Sequence, residues 1–374
     1  MNEIIIVGAG LVGSAIAFRL VQGGARVTLL DAGYPGSGTS GSSFSWLNSN
    51  GKTPRAYHNL NVAGMQEHQA LRDELGAAPW LHKGGNLEWA DDEAGRNRLH
   101  EKVERLQEWG YAVEVLSPAQ VQAELEPDLS FDRDTSEEVV YYRDDAWLDP
   151  LVLTHALQER ITRHGGRPRA GCRVIAVEKA GGRVQGVVTE TGERFPADMV
   201  INCAGPAAGR VASLMGVALP LKNTAGLLAL TTPAPTCISR VIHAPGLNLR
   251  PDGAGRLLLH HEQIDQTVDQ ETAPDTNLPG CQELLRRAQQ LLPSLLGTRL
   301  ETARIGIRPI PRDGLSAVGP LPGLDGAYAA VTHSGATLCL VLGRLVAGEL
   351  LTGQEAVELQ PFRPSRFSAA GVRR

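Results

Sequence analysis

The sequence contains no Cys-x-x-Cys pair, no Cys/His cluster at zinc-ligand spacing, and no apolar run approaching the roughly 20 residues of a membrane-spanning helix. Its five cysteines, Cys172, Cys203, Cys237, Cys281 and Cys339, are scattered along the chain. That distribution reads as reduced thiols buried as small hydrophobes, and it provides no cluster to hold an iron–sulfur centre. An excess of basic residues is also missing. Lys plus Arg number 36 against 41 Asp plus Glu, a formal net charge of -5, which argues against nucleic-acid binding but leaves room for a local basic pocket facing an acidic substrate. The start, MNEIIIVGAG, shows neither a basic leader nor a small-residue cleavage site. The expected location is the cytoplasm, with peripheral membrane association left open. No internal repeat is visible.

With 42% hydrophobic and 21% charged residues the composition is that of a globular protein, and 374 residues suggest two domains. Ile4–Val7 is a continuous apolar, β-branched run suited to a strand buried on both faces of a parallel sheet. Gly8-Ala9-Gly10-Leu11-Val12-Gly13 follows at once. Apolar residues at helical spacing (Ile16, Ala17, Leu20, Val21) then run to Gly23-Gly24, and a second strand, Val27–Leu30, is closed by Asp31. Residues 33–51 are rich in Gly and Ser, and their place directly after this βαβ unit favours a ligand-contacting segment over a linker. Residues 60–125 read as mainly helical, most clearly over Met65–Leu75 and Arg96–Trp109, and Pro150–His164 as another helix. Short strands separated by Gly-rich turns follow over Arg173–Val177, Val184–Thr189 and Arg194–Pro196, then Met199–Asn202. Leu227–Thr232, Val241–Leu249 and Gly255–His261 suggest a further antiparallel sheet. Cys281–Leu292 reads as a helix, Tyr328–Thr332 as a late strand, and Leu338–Leu351 as an apolar helix.

Gly8, Gly10 and Gly13 make a G-x-G-x-x-G turn between strand and helix. The first glycine permits the turn, the second lets backbone approach a pyrophosphate, and the third lets helix pack against strand. The helix N-terminus offers unpaired N–H groups and partial positive charge to phosphates. Asp31, 18 residues after Gly13, closes the second strand where a carboxylate can accept from ribose hydroxyls. The whole arrangement indicates a dinucleotide, without separating FAD from NAD.

Beyond that turn, the stretches IIIVGAGLVGSAIAFRL, DMVINCAGPAAG, GIRPIPRDGLSAVGP, THSGATLCLVLGRLVAGELLTG and PFRPSRF resemble, in order and over nearly the whole length, the D-amino-acid oxidase group of flavoproteins, which includes glycine oxidases, sarcosine oxidases and D-amino-acid dehydrogenases. The resemblance implies an α/β fold: a Rossmann-like FAD-binding domain from 1–80, 145–220 and 305–374, and a second, mainly antiparallel β-sheet substrate domain from 81–144 and 221–304. By the same resemblance Asp31 and Ala32 face the ribose, and Thr39 and Ser40 contact the diphosphate. Ser45, Trp46 and Leu47 pass the flavin ring, Val174 meets the adenine, and Ala204 and Gly205 face the ribose and diphosphate. Gly335, Ala336, Thr337 and Leu338 supply the last FAD contacts, where a helix N-terminus can stabilise negative charge on the reduced ring. The group more often has Glu where this chain has Asp31. Cys339 falls one turn into the helix, so FAD is expected to be noncovalent.

The resemblance also implies a substrate carboxylate held by Arg308 of the Gly306-Ile307-Arg308-Pro309 motif, since a guanidinium fork matches a carboxylate in two-point contact. A purely structural pairing of Arg308 with Asp313 or another acid is the competing reading. Arg304, Arg312 and Lys52 are rival cations. Asn248 and Arg250 occupy a strand where the group often places a Tyr, which is absent here. Of the histidines, His333 is the candidate nearest the flavin, whereas His260 and His261 read as core or solvated residues. The implied reaction is hydride transfer from the carbon beside an amine nitrogen of an amino acid or N-substituted amino acid to flavin N5. It gives an imine that water hydrolyses, and it needs no strong protein base. Two alternatives stand beside it: oxidation of a 2-hydroxy acid, and service as the flavoprotein subunit of a larger electron-transfer complex. A homo-oligomer or an electron-accepting partner is compatible with the sequence, and no metal site is expected.

Overall fold

The computed structural model describes residues 3–131 and 138–368. Its first strand, Glu3–Val7, lies inside a six-stranded sheet ordered 317–320, 327–331, 199–202, 3–7, 26–30, 167–169. Neighbours are parallel except 317–320 against 327–331. Successive side chains point to opposite faces, and both faces are covered. Ile4, Ile6 and Leu29 enter a core with the helices Leu11–Gln22, Pro150–Arg163 and Gly335–Thr352. Ile5, Val7 and Leu30 enter another, with the antiparallel strands 174–180, 183–189 and 194–196 and the helix Ala208–Leu214. A strand that is apolar at every position is what two covered faces require.

The helix Gly335–Thr352 is long and apolar enough by composition to cross a bilayer, but Leu338, Cys339, Leu342 and Val346 are fully buried in the first core. Gly343 lets it approach the first helix closely. A Cβ there would stand 2.8 Å from the Ala15 carbonyl oxygen. Its far end is held by Glu349, which accepts from Tyr328 at 2.6 Å and pairs with Arg363.

The second large sheet has eight strands, ordered 300–311, 221–231, 257–260, 247–251, 241–244, 86–88, 139–142, 113–116. All neighbours are antiparallel except 241–244 with 86–88. Alternation sorts its two faces. Leu227, Ala229, Ile242, Leu247, Leu249, Leu257, Leu259 and Ala303 pack under the helix Pro279–Leu291. The intervening residues, including His243, Asn248, Arg250, His260, Arg304 and Arg308, therefore share the opposite face. A small sheet of 46–47, 146–148 and 81–83 adjoins both large ones.

Three expectations need correction. Residues 60–125 hold the helices Arg55–Leu75, Glu93–Glu108 and Pro118–Glu124, but also the strands 81–83, 86–88 and 113–116. Strands of three or four residues show no period of their own and exist through partners such as 139–142. Val241–Leu249 is not one strand but the first arm and part of the second of a hairpin turning at Pro245-Gly246. Cys237 is exposed, while the other four thiols are buried, and all five are free. In addition, the expected boundary between 304 and 305 falls within the continuous strand Leu300–Pro311.

Because Gly343 meets backbone rather than a movable side chain, Gly343→Val should destabilise the protein by about 1–3 kcal/mol. Denaturant unfolding measures this, and unchanged stability would show that the two helices are not in close contact.

Candidate active site

The carboxyl ends of the parallel strands open on a cavity of about 650 Å³, within the roughly 300–1,000 Å³ of small-molecule and cofactor sites. One wall is the glycine turn, and the opposite wall is the polar face of the eight-stranded sheet. Gly8 has φ +107°, and a Cβ on it would stand 2.3 Å from the Cys203 carbonyl oxygen; a Cβ on Gly13 would stand 1.9 Å from that of Gly8. Side chains are thus excluded at Gly8 and Gly13, which lets the turn close and the helix pack against the strand, with its N-terminus at the cavity where a pyrophosphate can be met. Asp31 accepts from Ala9 N at 2.7 Å through one oxygen and from Gly33 N at 2.8 Å through the other. Each oxygen keeps a further lone pair for a ribose hydroxyl.

The Gly/Ser-rich segment crosses between the two large sheets. Thr39 donates to the Ile307 carbonyl at 2.5 Å, and Ser40 accepts from Leu11 N at 3.1 Å. A Cβ on Gly306 would lie 2.0 Å from the Ser42 carbonyl oxygen, so the glycine before Ile307-Arg308 makes room for that crossing. Ser45 is in the left-handed region at φ 54°, and Trp46 then bridges to Trp147 and lies 4.1 Å from the His243 ring. The last helix arrives from the other end of the chain. Thr337 donates to the Trp46 carbonyl and accepts from Asn48 N, both at 3.4 Å, and Tyr57 donates to Ser334 at 2.9 Å.

Gly8, Gly10, Leu11, Val12, Asp31, Ala32, Thr39, Ser40, Ser45, Trp46, Val174, Ala204, Gly205, Gly335, Ala336 and Thr337 all line this one cavity, together with Lys52, Asn248, Arg308 and His333. Three expected cofactor contacts do not. Gly13 lies beneath the turn, against Gly8. Leu338 is fully buried, with its N–H bonded to the Ser334 carbonyl at 2.9 Å. Leu47 faces a second cavity of about 500 Å³ that it shares with Tyr111 and Asp145. Alternation along the strand 46–47 turns Trp46 one way and Leu47 the other.

Arg308 is not paired with Asp313, which binds Arg366. Its Nη2 donates to Asp265 Oδ2 at 2.5 Å and lies 2.9 Å from His260 Nε2. Burial tends to raise the Asp265 carboxyl, but the hydrogen bond and charge of His260 and those of Arg308 outweigh it and hold it below its usual value. The guanidinium packs over Gly226, where a Cβ would come within 2.4 Å of Nη2. Nε and Nη1 have no protein partner among the described residues. Asn248 donates to Glu262 at 3.3 Å. The rival Arg304 bonds the Gly41 carbonyl at 3.4 Å, and Arg250, on the strand with Asn248, bonds the Phe44 carbonyl at 2.5 Å and pairs with Asp252. Neither they nor Arg312 lines the cavity.

Burial lowers His333 to about 4, with the charges of Lys52 and Arg308 adding to the effect, so it is neutral at pH 7; its buried Nδ1 has no partner among the described residues. Burial also lowers Lys52 to about 8, opposed by Asp145. Asp145 is itself pushed up to about 8 by burial, against hydrogen bonds from Tyr111 and Trp46. Sequence reading missed Asp145, His243, Phe44 and Glu262. Period-two alternation around Ile242 identifies the face of His243. Nothing local marks Asp145.

The family model of the DAO-type FAD dependent oxidoreductases matches residues 3–349. This chain belongs to that family. FAD is therefore its cofactor, and the glycine turn, the Asp31 carboxylate and the cavity between the sheets fit it. Glycine oxidase of Pseudomonas aeruginosa is 27% identical over 97% of this chain and 99% of its own length. An opine oxidase subunit of Agrobacterium tumefaciens is 26% identical over 98% of each chain. In fold, the DAO-family chain is similar to the crystal structure of glycine oxidase from Geobacillus kaustophilus, with a TM-score of 0.87 at 24% identity over 98% of this chain and 99% of that one.

Between pH 7 and 9 Lys52 loses a positive charge and Asp145 gains a negative one. Both changes make the cavity more negative, so KM for a carboxylate substrate should rise as pH passes about 8. The Asp145→Asn variant should show a smaller rise. A KM that is flat from pH 7 to 9 would contradict this.

Proposed function

We propose that this oxidoreductase oxidises the C–N bond of an amino acid or N-substituted amino acid. The observation that supports this reading is the half-committed guanidinium of Arg308. Nη2 is fixed by Asp265 while Nε and Nη1 remain without partners among the described residues, in a cavity-lining side chain. A planar cation held along one edge is ready to take a carboxylate on another at little further entropic cost. Bound FAD supplies the acceptor for the hydride leaving the carbon beside the nitrogen.

The protein's own residues orient and desolvate. Arg308 holds the carboxylate and so fixes the α-carbon. His333 lines the cavity and is neutral at pH 7, so it adds no positive charge beside the amine. Phe44 and Trp46 restrict water on the sheet side of the cavity. The cofactor residues already named would hold FAD noncovalently, since Cys339 is fully buried in the core and its thiol is raised to about 12 by burial. We assign the six-stranded sheet to the FAD-binding domain and the eight-stranded sheet to the substrate domain, and the location to the cytoplasm. A second reading, a flavoprotein component of a larger complex, draws on the full-length similarity to the Agrobacterium tumefaciens opine oxidase subunit; copurification with a partner protein would favour it.

Anaerobic bleaching of the flavin by D-amino acids, glycine or N-methyl amino acids, with an imine-derived product, tests the reaction. Bleaching by 2-hydroxy acids alone would refute it. Arg308→Ala should raise KM for a carboxylate-bearing amine by about ten- to a hundredfold, from the loss of a charge-assisted contact. Unchanged kinetics would remove Arg308 as the anchor.

A further inference from the structure

Lys52 and Arg308 line the same cavity, but their surroundings differ. Arg308 has a built-in counterion in Asp265. The Lys52 ammonium has no hydrogen bond or ion pair with any described residue. Its backbone is fixed instead, with Lys52 N donating to the Ser49 carbonyl at 3.3 Å and neighbouring Asn50 donating to Asp145 at 3.2 Å. Asp145 forms no ion pair with Lys52; its oxygens face the second cavity and accept instead from Tyr111, Trp46 and Asn50. Of the acids that line the cavity, Asp31 is bonded to Ala9 N and Gly33 N, and Glu262 is exposed and bonded to Asn248. His333 lines the same cavity as Lys52 and Arg308.

A cation held in a partly dry cavity without a partner is unfavourable until an anion joins it. A substrate with one carboxylate satisfies Arg308 and leaves Lys52 uncompensated. We propose that Lys52 is a second anion anchor, and that the substrates are amines carrying two acidic groups, one held by Arg308 and the other by Lys52. The inference rests on the reading of Arg308 as the carboxylate anchor. The second acid can sit on the amino-acid side chain or at the end of an N-carboxyalkyl group. Both place an anion a few bonds from the reacting carbon.

The test compares matched pairs on the FAD-loaded enzyme: D-aspartate with D-alanine, and N-carboxymethylglycine with N-methylglycine, each by saturation of anaerobic flavin bleaching. Unreactive succinate and propionate are titrated by their perturbation of the flavin absorbance. At least one amine pair, and the succinate pair, should show the diacid binding about tenfold tighter or more. Lys52→Met should bring that ratio to about one, and Lys52→Arg should keep it. The amine pair that shows the preference locates the second acid. Ratios near one in the unaltered enzyme, or a preference that survives Lys52→Met, would overturn the proposal. If no amine bleaches the flavin but succinate still outbinds propionate through Lys52, the anchor stands and the amine reading fails.

Discussion

The contact between residues 45–50 and the first turn of the last helix joins the two ends of the chain. Thr337 bonds both the Trp46 carbonyl and Asn48 N, Tyr57 bonds Ser334, and a Cβ on Gly64 would stand 2.4 Å from the Thr337 carbonyl oxygen. These contacts bridge nearly 300 residues of sequence. They bring one helix N-terminus, at Gly335, to the same cavity as another, at Leu11. The Leu11 end suits a pyrophosphate, and the Gly335 end can stabilise charge on a distant part of the same cofactor. Without the clasp the glycine turn would be half a site.

The second constraint is charge in a poorly hydrated place. Arg308, Lys52, His260 and His333 line the cavity wall, Asp265 is bonded to Arg308 and Asp145 to Trp46 behind it, and burying unpaired charge is costly. Two of these residues meet that cost differently. Asp265 stays ionised because His260 and Arg308 both bind it. Asp145 stays largely neutral near pH 7 and is held by Tyr111, Trp46 and Asn50. The cationic surplus this leaves on the wall suits an anionic substrate, even though the whole chain carries a net charge of -5.

The dinucleotide cradle was legible in the sequence because every part of it is local. Strand, glycine turn, helix and Asp31 fall within about 30 residues, and each glycine has a steric reason that geometry confirms at Gly8 and Gly13. The far end of the cradle was legible only through motif order, since nothing within THSGATL says what lies opposite it. The opposite wall, on the eight-stranded sheet, was partly legible. Asn248 and Arg308 could be singled out, but their neighbours depend on strand register, which fixes which faces His243 and His260 share. The three-residue strands at 81–83 and 86–88 carry no periodic signal and are specified by their partners. The side chains of Leu47 and Leu338 turn away from the main cavity, which was not legible because a residue-by-residue resemblance transfers positions along the chain but not side-chain direction.

Hydrogen exchange on the apoprotein, with and without FAD, tests most directly whether both chain ends hold one cofactor. Added FAD should slow exchange together at the amides of residues 8–14 and 335–340, saturating at one FAD per chain. Protection of only one of these segments, or failure of correctly folded protein to take up FAD, would contradict the clasped site.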